Sequence, residues 1–217
     1  MRKADFHKLI REKNFLSLSG NMIFAGLGLV SFLLLVRSLD KESFGAWVLF
    51  MTIATFVDLF RFGLTRNAII RYSSSENELL KKEMMGSSYL MGLAMVITCM
   101  VLLWPFYLLS GQESGAYLLF FKYYPLYALA NLSWNNAISF LQAEQKFGRI
   151  LFIRLFNMGS FVIFLIVNRY FWQLGVELLI IANIITNFLS SLVSMISGKD
   201  GLNNIRRARK DMVKKLS

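Results

Sequence analysis

The chain has 217 residues, of which 56% are hydrophobic and 17% charged, with a mean hydropathy of +0.51 and a formal net charge of +11. A soluble domain normally carries about a quarter charged residues, so this composition excludes an ordinary soluble domain and indicates a protein embedded in lipid. The basic excess could suit nucleic acid, but no nucleic-acid-binding module is recognisable. We therefore expect anionic lipid head groups, and no nucleic acid, as the partner of this charge.

Six apolar segments follow one another along the chain, and each is about long enough to cross a hydrocarbon layer of roughly 30 Å. They cover residues 15–36, 44–64, 85–109, 116–141, 150–170 and 174–196. Backbone groups in hydrocarbon must satisfy their own hydrogen bonds, so segments of this length are predicted as helices. The sequence predicts an all-α, six-helix transmembrane bundle that forms a single lobe over residues 1–217.

Basic residues are distributed unevenly between the two sides of this predicted bundle. Most of the 24 Lys and Arg lie in the N-terminal arm, after the second span, after the fourth span and in the tail. By the positive-inside rule both termini are cytoplasmic. The stretch 74–85 is predicted to form a short interfacial helix. The tail 199–217 is predicted to be a basic amphipathic segment on the anionic surface, or a linker to further spans.

No catalytic apparatus is recognisable. The sequence contains no nucleophile elbow, P-loop or dinucleotide fingerprint. Its one cysteine, Cys99, can form no intrachain disulfide, and its one histidine, His7, has no partner at ligand spacing. We therefore expect a protein that is not an enzyme and that uses no cofactor and no metal.

Polar residues recur at helical spacing inside three of the predicted spans. Such residues in membrane helices either hydrogen-bond to a neighbouring helix or line a hydrated cavity, and the spacing does not decide between these two interpretations. The stripes are Asn14, Ser17, Asn21, Ala25, Gly28 and Ser31 in the first span, Asn131, Asn135 and Gln142 in the fourth, and Asn183, Asn187, Ser190 and Ser194 in the sixth.

Charged residues in the cytoplasmic halves of the second and fifth spans suggest an anion site. Asp58 and Arg61 lie three residues apart on one helix face and could simply pair with each other, or could face a cavity. Arginine suits an anion site because its planar fork binds phosphate oxygens in pairs and stays charged when desolvated. The candidate substrate-binding residues are Arg61, Arg66, Arg154, Asp58, Asn21, Asn131, Asn135 and Asn157.

Residues 33–72 and 141–150 resemble the oligosaccharide and polysaccharide flippases of the multidrug/oligosaccharidyl-lipid/polysaccharide exporter superfamily. In that family an Arg ends the first span, Phe-Gly or Tyr-Gly opens the second, Gly-Leu followed by Arg closes it, and a Phe lies between the fourth and fifth spans. The matching residues are Arg37, Phe44 with Gly45, Gly63 with Leu64, Arg71, and Phe147.

This resemblance implies a transporter of the bacterial cytoplasmic (inner) membrane. Members of the family move undecaprenyl-pyrophosphate-linked sugar repeat units to the outer leaflet by alternating access, for surface polysaccharide or lipopolysaccharide O-antigen synthesis. The cavity between their two six-helix lobes is often cationic, which implies that Arg61, Arg66 and Arg154 bind the pyrophosphate or an acidic sugar.

The family normally has about 12 to 14 spans in two lobes, whereas this sequence predicts one lobe of six. Alternating access needs two bodies, so we expect a second six-helix lobe, either in a longer chain or in a partner chain. Two alternatives remain open: a non-transporting structural or assembly subunit of a membrane complex, and a drug/cation antiporter of the same superfamily.

Overall fold

The computed structural model describes residues 3–72, 78–109, 115–196, 198 and 201–208. Within these ranges every regular element is helical, which confirms the predicted all-α class. The α-helices are α1 (Lys3–Ser38), α2 (Lys41–Tyr72), α3 (Glu78–Leu109), α4 (Ala116–Ala130), α5 (Leu132–Ala143), α6 (Phe147–Val167) and α7 (Val176–Ile196). A π-helical turn, Asn168–Trp172, follows α6, and a 3-10 helix, Leu202–Arg207, follows α7.

Five helical segments of the described chain are long and apolar enough to cross a membrane. They are Ser17–Ser38, Lys41–Gly63, Glu78–Leu109, Phe147–Trp172 and Val176–Ile196. The chain is therefore a multi-pass helical membrane protein. The fourth predicted span, 116–141, corresponds to α4 and α5 together, and neither helix is long enough alone. That α4 and α5 form one crossing stays a prediction.

The core of the bundle surrounds α4, which packs against α2, α3 and α7. Phe50 of α2, Tyr124 of α4 and Leu179 of α7 are completely buried there. Helix α1 lies at the side of the bundle and packs mainly on α6, where Gly20 brings the backbone close to Leu151. Many large apolar side chains point outward, as expected where the surrounding solvent is lipid.

The prediction of a separate interfacial helix over 74–85 is wrong for residues 78–85, because these residues form the first turns of α3. Residues 73–77 lie outside the described residues. Of residues 78–85, Met84 and Met85 are buried, and the segment after α7 packs on α3. The carbonyl oxygen of Asn204 approaches Gly86 so closely that a Cβ there would be 2.0 Å away. The described part of the tail is thus docked against α3, and residues 209–217 lie outside the description.

Candidate functional site

Three neighbouring cavities meet at Arg66, at the end of the bundle predicted to be cytoplasmic. The arginine pocket, of about 180 Å³, lies between α1, α2, α5 and α6. The α2 groove, of about 1130 Å³, runs along α2 beside α5. The aromatic pocket, of about 130 Å³, is lined by Phe24, Phe62 and Trp134 among others. Arg66 lines all three cavities, because α2 continues as a helix past the predicted end of the second span.

The arginine pocket contains two guanidinium groups held by neutral amides. Arg66 Nη2 donates a hydrogen bond to Gln142 Oε1 at 2.6 Å, and Arg154 Nη1 donates one to Asn21 Oδ1 at 3.0 Å. Arg154 also lies over the ring of Phe24, 5.5 Å from its centroid. These contacts join α2 to α5 and α6 to α1, so they orient the guanidiniums without neutralising them.

The charge of this pocket is uncompensated among the residues that line it. The lining consists of Ser17, Gly20, Asn21, Arg66, Gln142, Phe147, Ile150, Leu151 and Arg154. It includes no carboxylate, and two guanidiniums facing one cavity repel each other unless an anion lies between them. Their planar forks match the oxygens of a phosphate group. Arg66 and Gln142 also line the larger α2 groove, so the two cavities are neighbours.

The third predicted arginine has a different environment. Arg61 is buried with 4% of its surface exposed, and it forms an ion pair with Asp58 at 3.0 Å. Its Nη2 donates hydrogen bonds to the carbonyl oxygen of Ala128 at 3.0 Å and to Asn131 Oδ1 at 3.2 Å. Arg61 therefore packs against α4, and it does not line the arginine pocket or the α2 groove.

The Asp58 carboxylate completes this α2 to α4 cluster. It accepts hydrogen bonds from the Tyr124 hydroxyl at 2.9 Å and from Asn131 Nδ2 at 2.8 Å. Asp58 also lines the α2 groove. Of the two interpretations that the sequence left open for Asp58 and Arg61, the geometry favours the pair that holds helices together, with one edge of the carboxylate at the groove.

The predicted asparagines also fall into two groups: those that line a cavity and those that hold helices together. Asn21 lines the arginine pocket, and Asn135 lines both the α2 groove and the aromatic pocket. Asn131 is 1% exposed and binds Asp58 and Arg61. Asn157 donates hydrogen bonds from α6 to Asn187 Oδ1 at 3.1 Å and Ser190 Oγ at 3.0 Å, so it serves α6 to α7 packing.

The residues carrying the family resemblance lie in several places. Phe147 lines the arginine pocket and Gly63 lines the α2 groove. Gly45 faces open space, and Arg37 is exposed in the last turn of α1. The side chain of Arg71 lies outside the described residues.

Some residues of the site have no signal in the sequence. Tyr124 is one aromatic among many in the fourth span, yet its hydroxyl donates to Asp58. Ser191 lies beside the sixth-span stripe rather than in it, yet its hydroxyl contacts the junction of α4 and α5. Such contacts depend on which helices are neighbours, which helical spacing does not specify.

The fold is that of a multi-pass helical membrane protein, and two arginines line one of its cavities. Residues 10–214 match the family described as "Polysaccharide biosynthesis protein", which covers nearly the whole chain. The chain belongs to this polysaccharide biosynthesis family. No curated protein and no solved structure matches it significantly.

Proposed function

We propose that the chain is one six-helix lobe of a flippase that moves undecaprenyl-pyrophosphate-linked oligosaccharide repeat units from the cytoplasmic to the outer leaflet. Membership of the polysaccharide biosynthesis family supports a role in polysaccharide export. The observation that carries the proposal is the arginine pocket, where Arg66 and Arg154 share a cavity whose lining, among the described residues, includes no carboxylate. A pyrophosphate supplies the negative charge that this pocket lacks.

The α2 groove adds room for the rest of the substrate. At about 1130 Å³ it is several times larger than the arginine pocket, and the two share Arg66 and Gln142. We propose that the pyrophosphate binds at the arginines while the attached sugars extend into the groove. A second six-helix lobe would close the groove and provide the other body that alternating access requires.

The remaining parts of the proposal follow from this role. The protein acts in the bacterial cytoplasmic membrane as a transporter rather than an enzyme, in the synthesis of surface polysaccharide such as O-antigen. Its basic cytoplasmic side contacts anionic lipids. The arginines used for the substrate are Arg66 and Arg154, with Asn21, Asn135 and Gln142 as neutral hydrogen-bonding neighbours, whereas Arg61, Asp58, Asn131 and Asn157 shape the helices around them.

Single substitutions in the full-length protein test this proposal in its own cell. Arg66→Ala and Arg154→Ala should each lower surface polysaccharide at least about tenfold, because a charge-assisted hydrogen bond contributes about 1.5–3 kcal/mol. Membrane levels should stay unchanged. Arg37→Ala removes an exposed arginine far along α1 from the pocket and should leave polysaccharide at its normal level. Normal polysaccharide in both pocket variants would contradict the proposal.

A drug/cation antiporter is the second candidate, and Asp58 is the observation that favours it, because this carboxylate lines the α2 groove. Coupling to a cation requires such an acid. Asp58→Asn removes the carboxylate charge but leaves the buried Arg61 without its ion-pair partner, so membrane levels are measured together with export. An antiporter should lose cation-coupled export of drugs in this variant, whereas the flippase proposal predicts no drug export in either protein.

A further inference from the structure

The junction of α4 and α5 is built by a side chain from a distant helix. In an unbroken helix the N–H of Trp134 would donate to the carbonyl oxygen of Ala130. Here the Trp134 N–H donates to Ser191 Oγ of α7 at 3.3 Å, and the Ser191 hydroxyl donates to the Ala130 carbonyl at 2.5 Å. The hydroxyl is thus inserted into the helical hydrogen-bond ladder, where the described helix is interrupted at Asn131.

A second carbonyl at the same junction is also taken by a side chain. Arg61 of α2 binds the carbonyl oxygen of Ala128, which would otherwise accept from the N–H of Leu132. Side chains that insert into the ladder are a known cause of sharp changes in helix direction. Side chains from α2 and α7 therefore both bind backbone groups at this junction, and both are buried.

The direction of α5 after the break decides what faces the substrate cavities. Asn135 lies one turn beyond the junction and Gln142 near the far end of α5, and both line the α2 groove. Gln142 also orients Arg66 through the 2.6 Å hydrogen bond. A change of about 20° at Asn131 would move the end of α5, about 18 Å away, by about 6 Å. Such a shift would separate Gln142 from Arg66.

We propose that Ser191 is a positioning residue for the anion site. Its hydroxyl keeps the helix interrupted between α4 and α5. The interruption sets the direction of α5, and this direction brings Gln142 to the guanidinium of Arg66. Ser191 touches no substrate in this scheme and acts only through α5. The proposal rests on the proposed function for its transport consequence, whereas its structural half can be measured without transport.

The structural half is tested with two nearly isosteric substitutions. Ser191→Thr keeps the hydroxyl and Ser191→Val replaces it by a methyl group, so any effect of added volume is shared. In a Cys99→Ala background, spin labels at positions 60 of α2 and 143 of α5 report the direction of α5 in the full-length protein in nanodiscs. We expect the distance to shift by several ångströms, up to about 6 Å, in Ser191→Val and not in Ser191→Thr. Ser191→Ala, which adds no volume, should shift it in the same way.

A matched control is Ser160→Ala, because the Ser160 hydroxyl bonds the carbonyl of Phe156 within its own helix. This variant should leave the distance unchanged. An unshifted distance in both Ser191→Val and Ser191→Ala would overturn the proposal. If Ser191→Val fails to reach the membrane, the comparison of Ser191→Ala with Ser191→Thr decides the question alone.

The functional half is tested by a double-mutant comparison. Ser191→Ala should lower surface polysaccharide while membrane levels stay normal, and Ser191→Thr should keep surface polysaccharide at its normal level. In the double variant, Ser191→Ala should add little to the loss caused by Gln142→Ala. Full additivity, or normal polysaccharide despite a shifted α5, would overturn the positioning role. Normal polysaccharide in Arg66→Ala and Arg154→Ala would instead refute the proposed function, and the distance measurement would still stand.

Discussion

Arg61 Nη2 donates a hydrogen bond to the backbone carbonyl of Ala128, 3.0 Å away on a neighbouring helix, and this contact ties the most deeply placed arginine of the site to the fold. With its ion pair to Asp58 at 3.0 Å, it gives Arg61 a role in holding α2 and α4 together. The two remaining arginines, Arg66 and Arg154, then carry the uncompensated charge of the arginine pocket.

Replacing Arg61 by Ala should lower the stability of the protein, whereas Arg66→Ala and Arg154→Ala should not. Removing one partner of a buried ion pair leaves the other charge uncompensated and costs about 3–5 kcal/mol. We expect reduced membrane levels and a lower Tm for Arg61→Ala, measured on purified protein in detergent. The double variant Arg61→Ala with Asp58→Asn should recover part of the loss, and a normal Tm for the single variant would contradict this role.

Filling the α2 groove should reduce transport without affecting the fold. Gly63 lines the groove, and a Cβ at this position would meet nothing within 4 Å. Gly63→Leu therefore places a side chain in the space proposed for the sugars, and surface polysaccharide should fall severalfold. Gly45→Leu is the matched control, since Gly45 lies on the same helix, also faces open space and does not line the groove. Equal polysaccharide in the two variants would argue against the groove as the substrate path.

Adding a methyl group at Gly86 should release the segment that follows α7. A Cβ there would lie 2.0 Å from the Asn204 carbonyl oxygen, which is backbone and must move away. Trypsin should then cleave at Arg206 and Arg207 roughly tenfold faster in Gly86→Ala, because proteolysis follows the population of the undocked segment. Gly159→Ala, where a Cβ meets nothing within 4 Å, should be cleaved at the normal rate. Identical rates would show that the docking is weak.

Acid should weaken the start of α2 through Asp40. Its carboxylate accepts hydrogen bonds from the Ser43 N–H at 2.8 Å and the Ser43 hydroxyl at 3.0 Å. These bonds hold the pKa of Asp40 below its ordinary value. A lowered pKa in the folded state stabilises the protein above the unfolded pKa, and this contribution is lost as pH falls through the folded pKa.

We therefore expect the acid-induced fall in Tm, at pH values below about 4, to be shallower in Asp40→Asn than in the original protein. Asparagine keeps a capping side chain but cannot titrate, so the Tm near neutral pH should change less in Asp40→Asn than in Asp40→Ala. Melting curves between pH 3 and pH 7 measure both effects. An unchanged acid slope in Asp40→Asn would contradict this role of the carboxylate.

Much of the fold could be predicted from the sequence because helix-forming apolar segments are a local property. Arg66, Arg154 and Asn21 were predicted as cavity residues, and they share one pocket. The spacing of Asp58 and Arg61 showed only that they share a helix face, and it could not show that this face meets α4. At the interruption near Asn131, side chains from α2 and α7 bind the backbone, and no local pattern specifies these contacts.

Direct binding tests most closely whether Arg66 and Arg154 bind a pyrophosphate. Purified full-length protein in nanodiscs is titrated with undecaprenyl pyrophosphate and, separately, with the uncharged undecaprenol. We predict that the pyrophosphate binds at least about tenfold more tightly and that this preference is lost when both arginines are replaced by Ala. Equal affinity for the two lipids in the original protein would contradict the account.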